Sequence, residues 1–75
     1  MLIYPNPASG TITIEYFQFT GSEETMISDI TGKSLLHNKL SGIISIIDIS
    51  SLSSGIYFIK VITHERVYVQ KLIKK

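Results

Sequence analysis

The sequence predicts an all-β domain, a small antiparallel sandwich of six or seven short strands. Three observations carry that expectation. Isoleucine, threonine, valine, tyrosine and phenylalanine dominate, while alanine occurs only as Ala8; β-branched and aromatic side chains suit a pleated surface. Apolar and polar residues alternate with period two, the pattern of a half-buried strand. Short runs of this kind are separated by turn residues at roughly ten-residue spacing, as in sandwiches and barrels.

Thr11–Tyr16 alternates strictly, with Ile12, Ile14 and Tyr16 on one face and Thr11, Thr13 and Glu15 on the other. Gly21-Ser22 turns the chain into a run around Thr25–Ser28. Asp29-Ile30-Thr31-Gly32 follows, with Asp and Gly at the first and fourth positions that a type I turn prefers. Ser34–Lys39 is the next strand. Ser41-Gly42 leads into Ile43–Ile49, which is apolar on both faces and is expected to be central. Ser50–Ser54 reads as a loop pinned by Leu52 and ended by Gly55. Ile56–Ile62 places Tyr57, Ile59 and Val61 on one side. Thr63-His64-Glu65 connects it to Arg66–Ile73, where Val67, Val69, Lys71 and Ile73 oppose Tyr68, Gln70 and Leu72. These elements fit an open sandwich with Ig-like layering.

At 75 residues the chain is one domain's worth, and 44% of it is hydrophobic. A domain of this size buries roughly 60% of its unfolded surface, which leaves a thin stability margin. There is no cysteine, so neither a disulfide nor a thiolate metal site supports it. Net charge is +1, and the bases cluster only at Lys71, Lys74 and Lys75, which argues against nucleic acid as a partner. No apolar run approaches the ~18 residues of a transmembrane helix. The first residues lack the basic-then-apolar pattern of a signal peptide. The expectation is a domain, residues 1–75, taken from the end of a longer protein.

Candidate chemistry is sparse. His37 and His64 are far apart, and a metal site with Asp29, Asp48 or Glu65 needs at least three convergent ligands, so no metal is expected. The serines of Ser50–Ser54 lie outside any Gly-x-Ser-x-Gly setting and suit turn chemistry. Glu23 and Glu24 are adjacent and read as a solvated loop pair rather than a glycosidase pair. The tyrosines and phenylalanines fall at strand positions and read as packing. No enzyme, no cofactor and no small-molecule substrate is expected. In the Asp29–Lys33 segment, Asp29 reads as a backbone cap and Gly32 as the residue that tolerates positive φ.

Taken in order, four landmarks resemble a known family. They are Tyr4-Pro5-Asn6-Pro7, Ser28-Asp29-Ile30-Thr31-Gly32-Lys33, the stretch Ile47–Val61 with Leu52, Gly55 and Tyr57 as Leu-x-x-Gly-x-Tyr, and Gln70–Lys75. The chain is similar throughout to the C-terminal sorting domain of the type IX secretion system, the type A form called the Por secretion tail. The resemblance implies a β-sandwich that directs upstream cargo through an outer-membrane translocon in a Gram-negative bacterium. It also implies removal by a surface sortase, with the cut ahead of the sandwich. The implied destination is the medium or the cell surface, reached through the periplasm. The implied partners are translocon and sortase proteins and the cargo in the same chain. A monomer is expected.

By position, the resemblance assigns partner recognition to Pro5, Asn6 and Pro7, to Asp29, Gly32 and Lys33, to Leu52, Gly55 and Tyr57, and to Lys71, Lys74 and Lys75. Two departures stand out. Thr63-His64-Glu65 replaces the Gly or Asn common in the last hairpin, and Ser28 stands where an aromatic is common. The competing reading is an Ig-like adhesion or carbohydrate-binding module of a secreted protein, which calls for an exposed aromatic row or an acid cluster.

Two positional expectations follow from backbone chemistry. Pro5 and Pro7 fix their own φ and bias Tyr4 and Asn6 toward extended conformations, giving a stiff lead into the strands that suits a sheet edge. Arg66–Ile73 is expected at or near an edge, with Lys71, Lys74 and Lys75 discouraging self-pairing.

Overall fold

Seven strands form two stacked antiparallel sheets in a computed structural model that describes all residues, 1–75. They are β1 (Leu2–Tyr4), β2 (Thr11–Glu15), β3 (Glu24–Asp29), β4 (Ser34–Lys39), β5 (Ile44–Asp48), β6 (Gly55–Ile62) and β7 (Val67–Lys74). One sheet has the order β1-β2-β5 and the other β4-β3-β6-β7. The chain is all-β, as its alternation predicts.

Each strand turns its apolar side inward. Ile12, Ile14, Ile47 and Ile49 meet Ile27, Tyr57, Ile59, Val61 and Leu72 in one buried cluster. Tyr16, just past β2, is also buried and meets the half-buried Tyr68 edge to face, with ring centroids 6.2 Å apart. Leu52 fills the core from the loop before β6. An isoleucine or leucine buried in this way contributes about 1.5–3 kcal/mol relative to exposure.

Three features depart from the expectations above. β1 is an additional strand that precedes the proline pair, with Ile3 facing Ile14 in register. Pro5-Asn6-Pro7 is therefore not a lead into the first strand but the connection from β1 to β2, and both X-Pro bonds are cis. β5 lies at the edge of its sheet rather than at its centre. Ser45 and Ile47 point inward while Ile44 and Ile46 stand 59% and 68% exposed, so the double-sided apolar run reflects an uncovered face. Glu23 is fully buried rather than solvated.

The burial of Glu23 is compensated locally. Its carboxylate accepts from the Thr20 N–H at 3.1 and 3.0 Å, from the Thr20 hydroxyl at 2.8 Å and from the Gly21 N–H at 3.0 Å. Gly21 holds φ at +100°, a conformation that suits glycine. Burial pushes the Glu23 carboxyl up, but the donors of Thr20 and Gly21 outweigh it and the net displacement is downward. The residue thus closes the crossover between the sheets. Glu24, on the opposite face, meets His37 across β3 and β4 at 3.0 Å.

Candidate recognition surface

The expected recognition residues lie on four separate segments, and the sheet registers decide which of them meet. Asp29 pairs with Tyr57, Tyr57 with Leu72, and Gly55 with Lys74. The end of β3, the start of β6 and the end of β7 therefore share one end of the four-stranded sheet. The Asp29–Lys33 turn, the Leu52–Gly55 loop and the basic terminus converge there. His64, Glu65 and Arg66 occupy the opposite end.

The β1–β2 connection arrives at the same end. The Asn6 side chain lies along the outer edge of β7 and pairs with it as a peptide group would. Its Nδ2 donates to the Lys71 carbonyl at 2.7 Å, and its Oδ1 accepts from the Ile73 N–H at 3.0 Å. The Ala8 N–H then donates to the Ile73 carbonyl at 2.8 Å, and the Lys75 N–H to the Ala8 carbonyl at 2.7 Å. Ala8 and Lys74 form a parallel bridge. Ala8 itself is buried, so this strap is anchored in the core at one point. The stiff segment does lie on a sheet edge, but it guards the last strand and not the first.

In the β3–β4 turn the Asp29 carboxylate is occupied by its own loop. Oδ1 accepts from the Thr31 N–H at 2.9 Å, the Thr31 hydroxyl at 2.6 Å and the Lys33 N–H at 3.1 Å. The Thr31 hydroxyl first, then the backbone donors and the Lys33 charge, hold the Asp29 carboxyl below its ordinary range against partial desolvation. Gly32 sits at φ +91°, as the turn requires. Lys33 is exposed beside the capped acid. The cap therefore sets the loop shape, and Lys33 is the group it presents.

Leu-x-x-Gly-x-Tyr resolves into a packed corner. Leu52 and Tyr57 are buried, and the Tyr57 hydroxyl donates to the Ser53 carbonyl at 2.6 Å. A tyrosine that reaches back to the backbone just upstream fixes a strand corner in Ig-like sandwiches. Leu52 and Tyr57 are thus packed inside and hold the loop before β6 in place. Pro5, Asn6, Pro7, Lys71 and Lys75 are exposed and Lys74 half-buried.

Arg66–Ile73 is expected at or near an edge, and β7 is the last strand of its sheet. That Asn6 covers part of that edge leaves no signal in the sequence, because the partners are separated by most of the chain. An apolar surface beside β7 also lies outside the expectations. Val67 and Val69 are 51% and 61% exposed, and Ile56, Phe58 and Ile73 lie on the same outer face. Lys60 and Lys71 stand among them.

The family model for the secretion system C-terminal sorting domain matches residues 2–75. No curated protein matches the chain.

Proposed function

The chain belongs to the family of secretion system C-terminal sorting domains, and from that premise we propose how it serves as a sorting signal of the type IX secretion system. Members of this family are sorting signals for that route and not an enzyme family, and a protein that carries one is secreted or displayed beyond the outer membrane. Nothing favours the adhesion or carbohydrate-binding alternative.

Residues 1–75 form the C-terminal module of a longer exported protein in a Gram-negative bacterium. The cargo lies upstream in the same chain, and an ordinary signal peptide ahead of it carries cargo and tail together into the periplasm. The folded tail is gripped there by the outer-membrane translocon. A surface sortase then cuts ahead of the sandwich and releases it. The tail works as a monomer and performs no reaction.

The observation that carries this reading is the convergence of the landmark segments. Asn6, the Asp29–Lys33 turn, Gly55 and the terminal lysines meet at one end of the four-stranded sheet, although they are dispersed along the chain. Lys33, Lys71, Lys74 and Lys75 give that end a basic rim. Leu52, Tyr57, Asp29 and Gly32 give it a fixed shape. A surface assembled from both termini and two internal turns suits a label that is read only when folded.

The test is a fusion of residues 1–75 behind a signal peptide and a periplasmic reporter, in a bacterium with this export route. The reporter is expected in the medium or on the cell surface. Retention in the periplasm with a folded tail overturns the reading.

A further inference from the structure

β7 is covered on its outer edge only where the β1–β2 strap reaches it. In an antiparallel ladder the N–H and C=O of one residue point to the same side, and successive residues alternate. Ile73 points both groups outward, to Asn6 and Ala8. By the same alternation Lys71, Val69 and Val67 also point outward. The other end of the hairpin agrees, because Arg66 turns its carbonyl inward to the Thr63 N–H at 2.9 Å. The Lys71 carbonyl is held by Asn6. The Lys71 N–H and both backbone groups of Val69 and Val67 have no partner in the chain.

The side chains beside this open stretch have a definite character. Val67, Val69, Lys71 and Ile73 share the outer face with Phe58 and Lys60, which pair with Lys71 and Val69. Neither β6 nor β7 contains a carboxylate. The strip is therefore apolar toward Val67 and positive toward Lys71.

We infer that Val67–Lys71 is a strand-addition site for an extended segment of the export machinery, one that sets a carboxylate against Lys71 and apolar side chains against Val67 and Val69. Backbone groups supply the binding, and the strip of side chains supplies the choice of segment. The inference rests on the sorting reading for the identity of the partner. Charge complementarity selects an acidic occupant over a second copy of the chain, since lysine on an open edge opposes self-pairing. Asn6 sets where the added strand stops, because beyond Lys71 the edge is already taken.

Val69→Pro tests the backbone and Lys71→Glu tests the charge. Proline at Val69 removes only an outward N–H, which an edge tolerates. Lys71→Arg and Lys39→Glu on β4 are the controls. Each is placed in the reporter fusion, and the purified domains are compared by thermal denaturation and size-exclusion chromatography. Val69→Pro and Lys71→Glu are expected to remain folded and to lower export at least about tenfold, equivalent to about 1.4 kcal/mol of binding. Lys71→Arg is expected to retain most of the export that Lys71→Glu loses, and Lys39→Glu to export as the parent does. Should Val69→Pro fail to fold, Lys71→Glu decides, since that side chain is exposed.

Parent-like export of a folded Val69→Pro, or of Lys71→Glu, overturns the inference and leaves the sorting function standing. A dimer that Val69→Pro abolishes makes the occupant a second copy and also overturns it. Retention of the unmodified fusion instead brings down the sorting reading itself.

Discussion

The side-chain amide of Asn6 holds Ile73 from the far end of the chain, accepting its N–H at 3.0 Å while donating to the neighbouring Lys71 carbonyl at 2.7 Å. Both contacts satisfy backbone groups at the edge of the last strand. Asn6→Ala removes both and leaves the edge to water. At about 0.5–1.5 kcal/mol per neutral hydrogen bond, and with solvent able to replace each partner, the expected loss is about 1 kcal/mol. That lowers the melting temperature by about 4–8 °C in a domain of this size. Asn6→Asp is expected to be at least as damaging at neutral pH, because it puts a carboxylate oxygen against the Lys71 carbonyl. Thermal denaturation and amide exchange at Ile73 check both, and exchange there should accelerate in each variant.

Tyr57→Phe isolates the corner before β6. The ring stays in the core, and only the hydroxyl that donates to the Ser53 carbonyl at 2.6 Å is lost. The expected cost is about 1 kcal/mol. The Leu52–Gly55 loop should also become more susceptible to proteolysis. Limited digestion of Tyr57→Phe beside the parent reads this directly, and an unchanged loop would reduce the motif to ring packing.

Thr25→Val is expected to act in the opposite direction. The Thr25 hydroxyl is buried on the inner face of β3 and has no hydrogen-bond partner. Valine keeps the branched shape and removes the orphaned group. An unsatisfied buried hydroxyl costs about 1–3 kcal/mol, so a gain of about 1 kcal/mol is expected. Chemical denaturation should show a higher midpoint with an unchanged slope.

Acid should unfold the domain through its turn carboxylates. Glu23, Asp29 and Asp48 are all held below their ordinary ranges. Asp48 is held there first by the Ser50 hydroxyl and then by the Ser50 N–H, which donates to Oδ1 at 2.9 Å. A carboxyl lowered in the folded state binds fewer protons there than in the unfolded chain. Its stabilisation is complete above the unfolded value and is lost as pH falls through the folded one. Stability should therefore be level near neutrality and decline below about pH 4. Asp29→Asn is expected to lower stability at pH 7 and to flatten the acid limb, as denaturant midpoints across the range would show.

The inward-facing positions were legible in the alternation. Ile12, Ile14 and Tyr16 on one strand, and Tyr57, Ile59 and Val61 on another, point inward as period two requires. β1 was hidden because a short strand ahead of proline has no alternation to read. The edge position of β5 is not legible, because hydrophobicity does not distinguish a covered face from an exposed one, and Ile44 and Ile46 are exposed. Glu23 left a local signal, a hydroxyl and a glycine just upstream in Thr20-Gly21-Ser22-Glu23, whose donors replace water around the acid. The Asn6 contact left none. It joins the β1–β2 connection to β7, which meet only after the sandwich closes, and periodicity carries no information about such partners.

Removal of Leu72–Lys75 is the obvious way to ask whether the terminus is read by export proteins, and it is expected to fail as a test of recognition. Leu72 is fully buried opposite Tyr57. Leu72→Ala alone should cost about 2–5 kcal/mol. A domain of 75 residues has only about 4–11 kcal/mol in total. The deletion also strips Asn6 and Ala8 of their bonds to Ile73 and Lys75. The truncated chain should be unfolded by circular dichroism, so its loss of export would report stability. Combined Lys74→Ala and Lys75→Ala keeps the backbone bond from Lys75 to Ala8 and should stay within about 0.5 kcal/mol of the parent. Reduced export of that folded variant would assign the terminal lysines to recognition, and unchanged export would leave Leu72 as the reason the terminus is needed.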